Sequence, residues 1–268
     1  MFSPDVGLIV GNQPVFKAGR LVEFAPMWRE ITSDPNILQY VQEVKISFLE
    51  GVVPHQQAYR PSVFNAQQNV IVQNESQSLL LKEVLKQSYS EPGESVSTIL
   101  LCPKSDGSFR MILNLKQFNE SVEYHHFKMD TLETVTRMLR PGYFMASVDL
   151  KNAYYTVPIH PDHQKYLKLM FNDTLYQYTC LPNRLSSAPR IFTKLLKPVY
   201  STLHNKGHLN SGYIDDSYLQ GTQCRSANKI SLILLACLGD WGFISTPPDQ
   251  CSPPPIFYHF WVLFLIPC

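Results

Sequence analysis

Two adjacent carboxylates, Asp215 and Asp216, lie in Gly212-Tyr213-Ile214-Asp215-Asp216-Ser217-Tyr218-Leu219, between the β-forming runs Tyr213-Ile214 and Tyr218-Leu219. Successive residues of a regular strand point to opposite faces. A pair of acids acting on one side therefore belongs in a turn, and the stretch predicts a hairpin with the acids at its tip. Such a tip can hold divalent cations, because hard cations take carboxylate oxygens. Asp is equally an ordinary residue of solvated turns. A third acid, Asp149, closes the apolar run Phe144 to Leu150. A buried strand ending in an acid is a recurring way to present a metal ligand. Tyr154 follows beyond a turn, where it could floor a sugar pocket or serve as a core tyrosine with a partnered hydroxyl.

Basic residues accompany the acids. Lys104 and Arg110 flank the turn Lys104-Ser105-Asp106-Gly107-Ser108 and could reach over a hairpin tip toward a phosphate chain, with Arg suited to a bidentate grip. They would equally serve as solvated surface charges. Arg190, Lys194 and Lys197 lie off the apolar stripe of a helix and could face a nucleic-acid strand. Collected, these parts fit in-line nucleotidyl transfer, which uses two metals about 3.5–4 Å apart clamped by shared carboxylates, with basic groups on the outer phosphates. The pairs His160/His163 and His204/His208 have ligand-compatible spacing, but no acid or Cys completes a zinc set in sequence, so they read as surface histidines.

The elements that must position these residues follow from periodicity and turn chemistry. Residues 1–30 alternate Gly and Pro with short apolar runs and predict an extended arm. Ser33-Asp34-Pro35 opens a helix over Asp34 to Glu43. A second helix is expected over Glu75 to Gln87, with Leu79, Leu80, Val84 and Leu85 inward. Val96 to Cys102 and Phe109 to Leu113 predict a hairpin. Asp130-Thr131-Leu132-Glu133 reads as a capping box with Asp130 at the N-cap. His160-Pro161-Asp162-His163 begins a short helix that carries Tyr166 and Leu167, and Leu175 to Cys180 is a strand. Ser186 or Ser187 caps a long helix whose apolar face is Ile191, Phe192, Leu195, Leu196, Val199, Tyr200 and Leu203. Ile230 to Leu238 is a last helix.

The chain of 268 residues is 44% apolar and 17% charged, enough for a packed core and too apolar for global disorder. Its net charge of +1 means that any polyanion must be met by local patches. The six Cys residues contain no C-x-x-C pair and imply reduced intracellular thiols. The start lacks a basic n-region, so no signal peptide is expected. The apolar run from Ile256 to Cys268 is shorter than the ~20 residues a membrane span takes, so no membrane association is expected; nucleus and cytoplasm are not distinguished.

The chain resembles a reverse transcriptase, specifically that of the DIRS-type retrotransposons, which move with a tyrosine recombinase. The resemblance rests on Pro103-Lys104-Ser105-Asp106-Gly107-Ser108-Phe109-Arg110, Asn114-Leu115-Lys116, Val148-Asp149-Leu150-Lys151-Asn152-Ala153-Tyr154-Tyr155, Leu185-Ser186-Ser187-Ala188-Pro189-Arg190-Ile191-Phe192-Thr193-Lys194 and Tyr213-Ile214-Asp215-Asp216. Gly19-Arg20-Leu21, Trp28 and Ile31-Thr32-Ser33-Asp34 extend it toward the N-terminus.

The resemblance implies an α+β, right-hand polymerase. After the arm (1–30) come pre-finger helices and fingers (31–142), then a palm (143–244) built as a ferredoxin-like β-α-β-β-α-β sheet. It implies an RNA-directed DNA polymerase acting on an RNA template, a DNA primer and deoxynucleoside triphosphates, with two Mg2+ ions or Mn2+ in their place. Element-encoded partners are left undefined. Asp149 and Asp215 match the family's metal-bridging acids, and Asp216 the second, less directly ligating acid. The Leu150 carbonyl would complete a metal shell. Lys104 and Arg110 match the triphosphate clamp, Tyr154 the aromatic gate against a ribose 2′-OH, and Asn183 a polar residue near the incoming nucleotide.

Departures are expected to bear on activity. Arg184 stands where the family usually has Gly, and Gln250 where it has Lys. The family's Phe-Leu-Gly-Phe primer-grip strand is replaced by His259-Phe260-Trp261-Val262-Leu263-Phe264-Leu265-Ile266-Pro267. Shifting the phase so that each codon's last base starts the next makes Phe260-Trp261-Val262 read Leu-Gly. The hypothesis is that residues 245–268 are an out-of-frame or degenerate tail, with thumb and RNase H absent; a nucleotide sequence whose shifted phase gives no family-like continuation would sink it. The rival expectation is an inactive remnant that retains only nucleic-acid binding.

Overall fold

The computed structural model describes residues 16–52, 54, 61–103, 107, 109–140 and 143–221. Lys104, the expected helix over 230–238, Gln250 and the 245–268 tail lie outside the described residues.

The N-terminal part is more helical than its Gly and Pro content suggests. A 3-10 turn over Arg20–Phe24 runs into helix α1 (Ala25–Ile31), where the expectation was an extended arm. Pro26 sits in the first turn, where a missing N–H costs nothing, and the fully buried Leu21 and Trp28 anchor the segment. Helix α2 (Pro35–Gln42) is capped as expected: the Asp34 carboxylate accepts from the Asn36 N–H at 2.8 Å.

Helix α3 covers Ala66–Leu81 rather than Glu75 to Gln87. Its start is set by an Asn65/Gln68 capping box, in which each side chain accepts from the other residue's backbone N–H. Its end is set by Glu83, which takes a left-handed φ of 58°. The buried Leu85 then opens strand β1 (Leu85–Gln87) and the buried Val84 sits in the bend before it, so neither belongs to the helix. Strand β2 (Val96–Ser97) precedes the expected hairpin, β3 (Ile99–Pro103) and β4 (Phe109–Leu113), which pairs in register from Ile99↔Leu113 to Pro103↔Phe109. Two short helices follow, α4 (Lys116–Asn119) and α5 (Leu132–Met138). The α5 capping box is one residue later than expected: Thr131 is the N-cap and exchanges bonds with Thr134, while Asp130 is used elsewhere.

Strand β5 (Phe144–Asp149), the short helix α6 (Pro161–Gln164), β6 (Lys168–Phe171), β7 (Thr174–Tyr178), α7 (Ala188–Asn205), β8 (Leu209–Tyr213) and β9 (Asp216–Gly221) complete the chain as described. Among the described residues there are three sheets: β1-β7-β6-β2, β3-β4 and the antiparallel β5-β9-β8. In the last sheet the two sequence neighbours β8 and β9 form a hairpin, and β9 takes the centre between β5 and β8. Helix α7 packs on β8 with Ile191, Phe192, Leu195, Leu196, Val199 and Leu203 buried, matching the expected stripe. Each such side chain removed from water contributes roughly 1.5–3 kcal/mol, so α7 is the main apolar support of this sheet. Ser187 is its N-cap by position, but its hydroxyl makes no capping bond.

The first sheet carries a buried charge. Lys168 on β6 is fully buried, and its ammonium donates to the Tyr89 carbonyl (2.7 Å), Glu91 (2.8 Å) and Glu94 (2.7 Å). Of the histidines expected at the surface, His204 is exposed, whereas His160, His163 and His208 are partly covered. His163 is half-buried, and its Nδ1 accepts from the Ile46 N–H at 3.0 Å while its ring stacks on Phe48. No helix among the described residues is long and apolar enough to cross a membrane. Both described cysteines, Cys102 and Cys180, are free thiols.

Candidate active site

The hairpin tip is tighter than the sequence implied. Tyr213 pairs with Asp216, so the turn consists of Ile214 and Asp215 alone, and Asp216 is the first residue of β9. The acids therefore occupy different environments, one in a turn and one in a ladder, which corrects the expectation that both sit at the tip. Ile214 adopts a left-handed φ of 56° while Asp215 does not, as in a type II′ turn, where Gly is usual at this position. The neighbouring strand closes the arrangement: Asp149 on β5 faces Asp216, and the Leu150 N–H donates to the Asp215 carbonyl at 3.0 Å. Residues directly opposite in antiparallel strands share a face with Cβ atoms about 5 Å apart. Asp149, Asp215 and Asp216 are thus gathered at one end of the β5-β9-β8 sheet.

Their electrostatics reflect that gathering. Burial lifts the Asp216 carboxyl to about 6, with the charges of Asp215 and Asp149 adding to the effect. Burial also raises Asp215, reinforced by Asp149 and opposed by a backbone hydrogen bond and by the Arg110 guanidinium. Arg110 is exposed on β4, opposite Cys102 in the ladder, and its charge acts on Asp215. Tyr154 sits on a 3-10 turn over Ala153–Thr156, edge-on to Phe192 with ring centroids 5.2 Å apart. Burial, then the charge of Asp215, pushes its phenol upward, so it stays neutral beside the acids. Asn183 is exposed in the loop leading to α7, and no described contact ties it to the acids.

That loop is held by the last residue of α4. The Asn119 amide donates to the Arg184 carbonyl, and its oxygen accepts from the Ser186 N–H, both at 2.9 Å. The Arg184 side chain itself is exposed. Of the basic side expected on α7, Lys197 is exposed, whereas Lys194 is half-buried and its charge acts on Asp34 at the start of α2.

Sequence reasoning missed three supports of the hairpin. Tyr200 and Ser217 share a hydrogen bond of 2.7 Å. Gly212 leaves room for the Tyr200 ring, which a Cβ at that position would overlap. The Ser211 hydroxyl donates to the Asp130 carboxylate at 2.6 Å. Only Gly212 carried a signal: a glycine within a strand pattern marks a close approach of something else.

The donor set is all oxygen, which suits a hard divalent cation. Among the described residues, no three His, Cys, Asp or Glu side chains form a ready-made metal cage. Mg2+ is ordinarily held by one or two carboxylates together with waters and substrate phosphates. Asp215 and Asp216, whose carboxyls are raised first by burial and then by the neighbouring carboxylates, fit such an open site, because a cation would relieve the repulsive part.

The family described as reverse transcriptase (RNA-dependent DNA polymerase) matches residues 102–247. The Gag-Pro-Pol polyprotein of squirrel monkey retrovirus is 23% identical over 192 residues, covering 67% of this chain and 10% of that protein. The Gag-Pol polyprotein of Walleye dermal sarcoma virus is 29% identical over 139 residues, 50% of this chain and 8% of that protein. A Tf2-3 transposon polyprotein of Schizosaccharomyces pombe is 21% identical over 101 residues, 38% of this chain and 8% of that protein. The chain thus spans a tenth or less of the length of these relatives. Among solved structures, a foamy viral protease-reverse transcriptase in complex with dsDNA superposes with a TM-score of 0.67 at 24% identity, covering 80% of this chain and 44% of that one.

Proposed function

The chain belongs to the reverse transcriptase (RNA-dependent DNA polymerase) family, and on that premise we propose that it is the fingers-and-palm part of an RNA-directed DNA polymerase, acting at Asp149, Asp215 and Asp216. The observation that carries the reading is the Asp149–Asp216 pairing together with the Leu150–Asp215 hydrogen bond, which fixes three carboxylates at one sheet end. Asp149 and Asp215 would hold two divalent cations, with the Leu150 carbonyl and Asp216 contributing. When bound, such cations make a primer 3′-OH nucleophilic and offset charge on the triphosphate.

The remaining roles fall to the chain itself. Arg110, with Lys104, would neutralise the outer phosphates of the incoming nucleotide. Tyr154, neutral and packed against Phe192, would present a rigid ring against the sugar. Asn183 would sit beside the nucleotide on the loop that Asn119 secures. The partners would be an RNA template, a DNA primer and deoxynucleoside triphosphates. The β5-β9-β8 sheet with α7 would be the core of a ferredoxin-like palm over 143–244, and residues 31–142 the fingers and their preceding helices. The DIRS-type motifs quoted above favour a retrotransposon of that group over a retrovirus.

The test is primer extension on an RNA template with Mg2+ and the four deoxynucleotides. Extension by the wild-type chain and its loss in Asp215→Asn is the expected result; equal signal from both rejects catalysis by this chain. The exposed Arg184, in the loop before α7, motivates a second reading in which the chain binds nucleic acid without catalysis. Template–primer binding that weakens with salt, without extension, would favour it.

A further inference from the structure

We infer that Tyr200 is a positioning residue for the acid-bearing hairpin, fixing where Asp215 and Asp216 stand relative to Asp149 through its hydrogen bond to Ser217. The inference rests on the polymerase reading above and adds to it a residue outside the cation and nucleotide contacts.

Ser217 is 2% exposed and follows Asp216 directly on the central strand β9, between Val148 on β5 and Gly212 on β8. Because side chains alternate, Ser217 points to the face opposite Asp216, toward α7. There its Oγ meets the Tyr200 Oη at 2.7 Å. The ring lies over Gly212, where any Cβ would collide with its Cε2, Cζ and hydroxyl. The sheet is therefore hollowed to admit the phenol, and the hydroxyl ends one residue from a site acid.

One turn further along α7, at i+4 and so on the same face, His204 Nε2 lies 2.9 Å from the Asn210 carbonyl. The helix thus holds the hairpin at two successive points, one behind the acids and one at the base of β8. The apolar contacts of α7 are non-directional and would tolerate a small slide of the sheet. A buried hydroxyl pair does not, since its geometry fails within a few tenths of an ångström. Burial raises the phenol, and the nearby charges of Asp130, Asp216 and Asp215 add to this against the lowering effect of the Ser217 hydrogen bond, so the hydroxyl keeps its proton.

Tyr200→Phe keeps the ring over Gly212 and removes only the hydroxyl. The expected result is a fall in kcat of about tenfold with KM for deoxynucleotide changed by less than about twofold. Ser217→Ala should lose the same factor, and the double variant should lose no more than either single one, because both remove one bond. Amide hydrogen exchange should rise at residues 214–217 in each variant while the buried part of α7 keeps its protection. Wild-type kcat in Tyr200→Phe, losses that multiply in the double variant, or unchanged exchange at 214–217 would each overturn the inference. If the wild-type chain does not extend primers, the polymerase reading fails separately, and the exchange measurement still decides whether Tyr200 positions the hairpin.

Discussion

Asp149 at the end of β5 stands directly opposite Asp216 at the start of β9, so two carboxylates meet across one rung of the ladder. Like charges in that relation repel. The fold tolerates this because Leu150, one residue beyond the rung, donates to the Asp215 carbonyl, and because α7 supports the sheet from the other face. The arrangement places fold stability and cation affinity in opposition.

That opposition can be measured. The Asp216 carboxyl titrates near 6 in the folded chain and at 3.8 when unperturbed, so between those values the folded state binds more protons than the unfolded one. Stability therefore falls as pH rises from about 4 to 6, and the full penalty is present above that. A shift of about two pK units corresponds to roughly 3 kcal/mol; the group is only half-buried, and solvent screening reduces this to about 1 kcal/mol. Asp216→Asn should raise the melting temperature by about 2–4 °C at pH 7.5 and by much less below pH 4. Calorimetry at the two pH values checks this, and added Mg2+ should stabilise the wild type more than the variant.

Lys168 supports the opposite prediction, a large loss. Its ammonium is 0% exposed and bonds Tyr89, Glu91 and Glu94. Lys168→Ala would leave Glu94 buried without its cation and should cost about 3–5 kcal/mol in urea unfolding. Adding Glu94→Gln should recover part of that loss. Hydrogen bonds from Lys168 and Ser90 hold the Glu94 carboxyl below its usual value against the opposing effect of burial. Its contribution is then present above about pH 4.5 and lost as pH falls below that.

His163 should give the chain a mild acid sensitivity. Burial, with His160, Lys45 and Lys165 nearby, holds its imidazole below the usual 6.5, and Asp162 only partly offsets them. The neutral ring accepts the Ile46 N–H, which a protonated ring cannot. Its contribution is complete above about pH 6.5 and declines as pH falls toward the lowered value. The melting temperature should therefore drop between pH 7 and 5, and His163→Gln, which can still accept a hydrogen bond, should flatten part of that decline. The net worth of the bond is about 1 kcal/mol.

Asn119 should matter to the nucleotide more than to the fold. Asn119→Ala removes both bonds to the 184–186 segment at a site open to water, so stability should change by about 1 kcal/mol or less. The loop carrying Asn183 would lose its restraint. KM for deoxynucleotide should rise several-fold with kcat less affected, read from steady-state extension at varied nucleotide.

The legible parts of this chain were those with local signals. Asp34-Pro35 announced α2, the alternation around Gly107 announced β3 and β4, and the apolar stripe of α7 was read to within a residue or two. The acids were readable because Asp149 closes an apolar strand and Asp215-Asp216 follows one. Long-range causes stayed hidden. Nothing near Leu85 says that β7 will pair with it and pull Val84 and Leu85 out of a helix. Strand β6 was overlooked although Asn172 and Asp173, both left-handed, make a two-residue hairpin turn to β7. Tyr200 looked like one more member of an apolar stripe, since only the folded chain brings Ser217 to its hydroxyl.

Ile214 carries a last consequence. A branched L-residue at φ 56° sits on the unfavourable side of its own backbone map, by roughly 1–2 kcal/mol. Left alone, Ile214 would rotate about its N–Cα bond toward a negative φ, carrying Asp215 with it, and the Asp215 carbonyl would leave the Leu150 N–H. The hydrogen bond from β5 therefore works as a latch on a loaded turn. Engineering would read it as a preloaded joint, in which play is removed by tension and not by bulk. A glycine at 214 would slacken the joint, and the chain would become easier to fold while its acids became harder to aim.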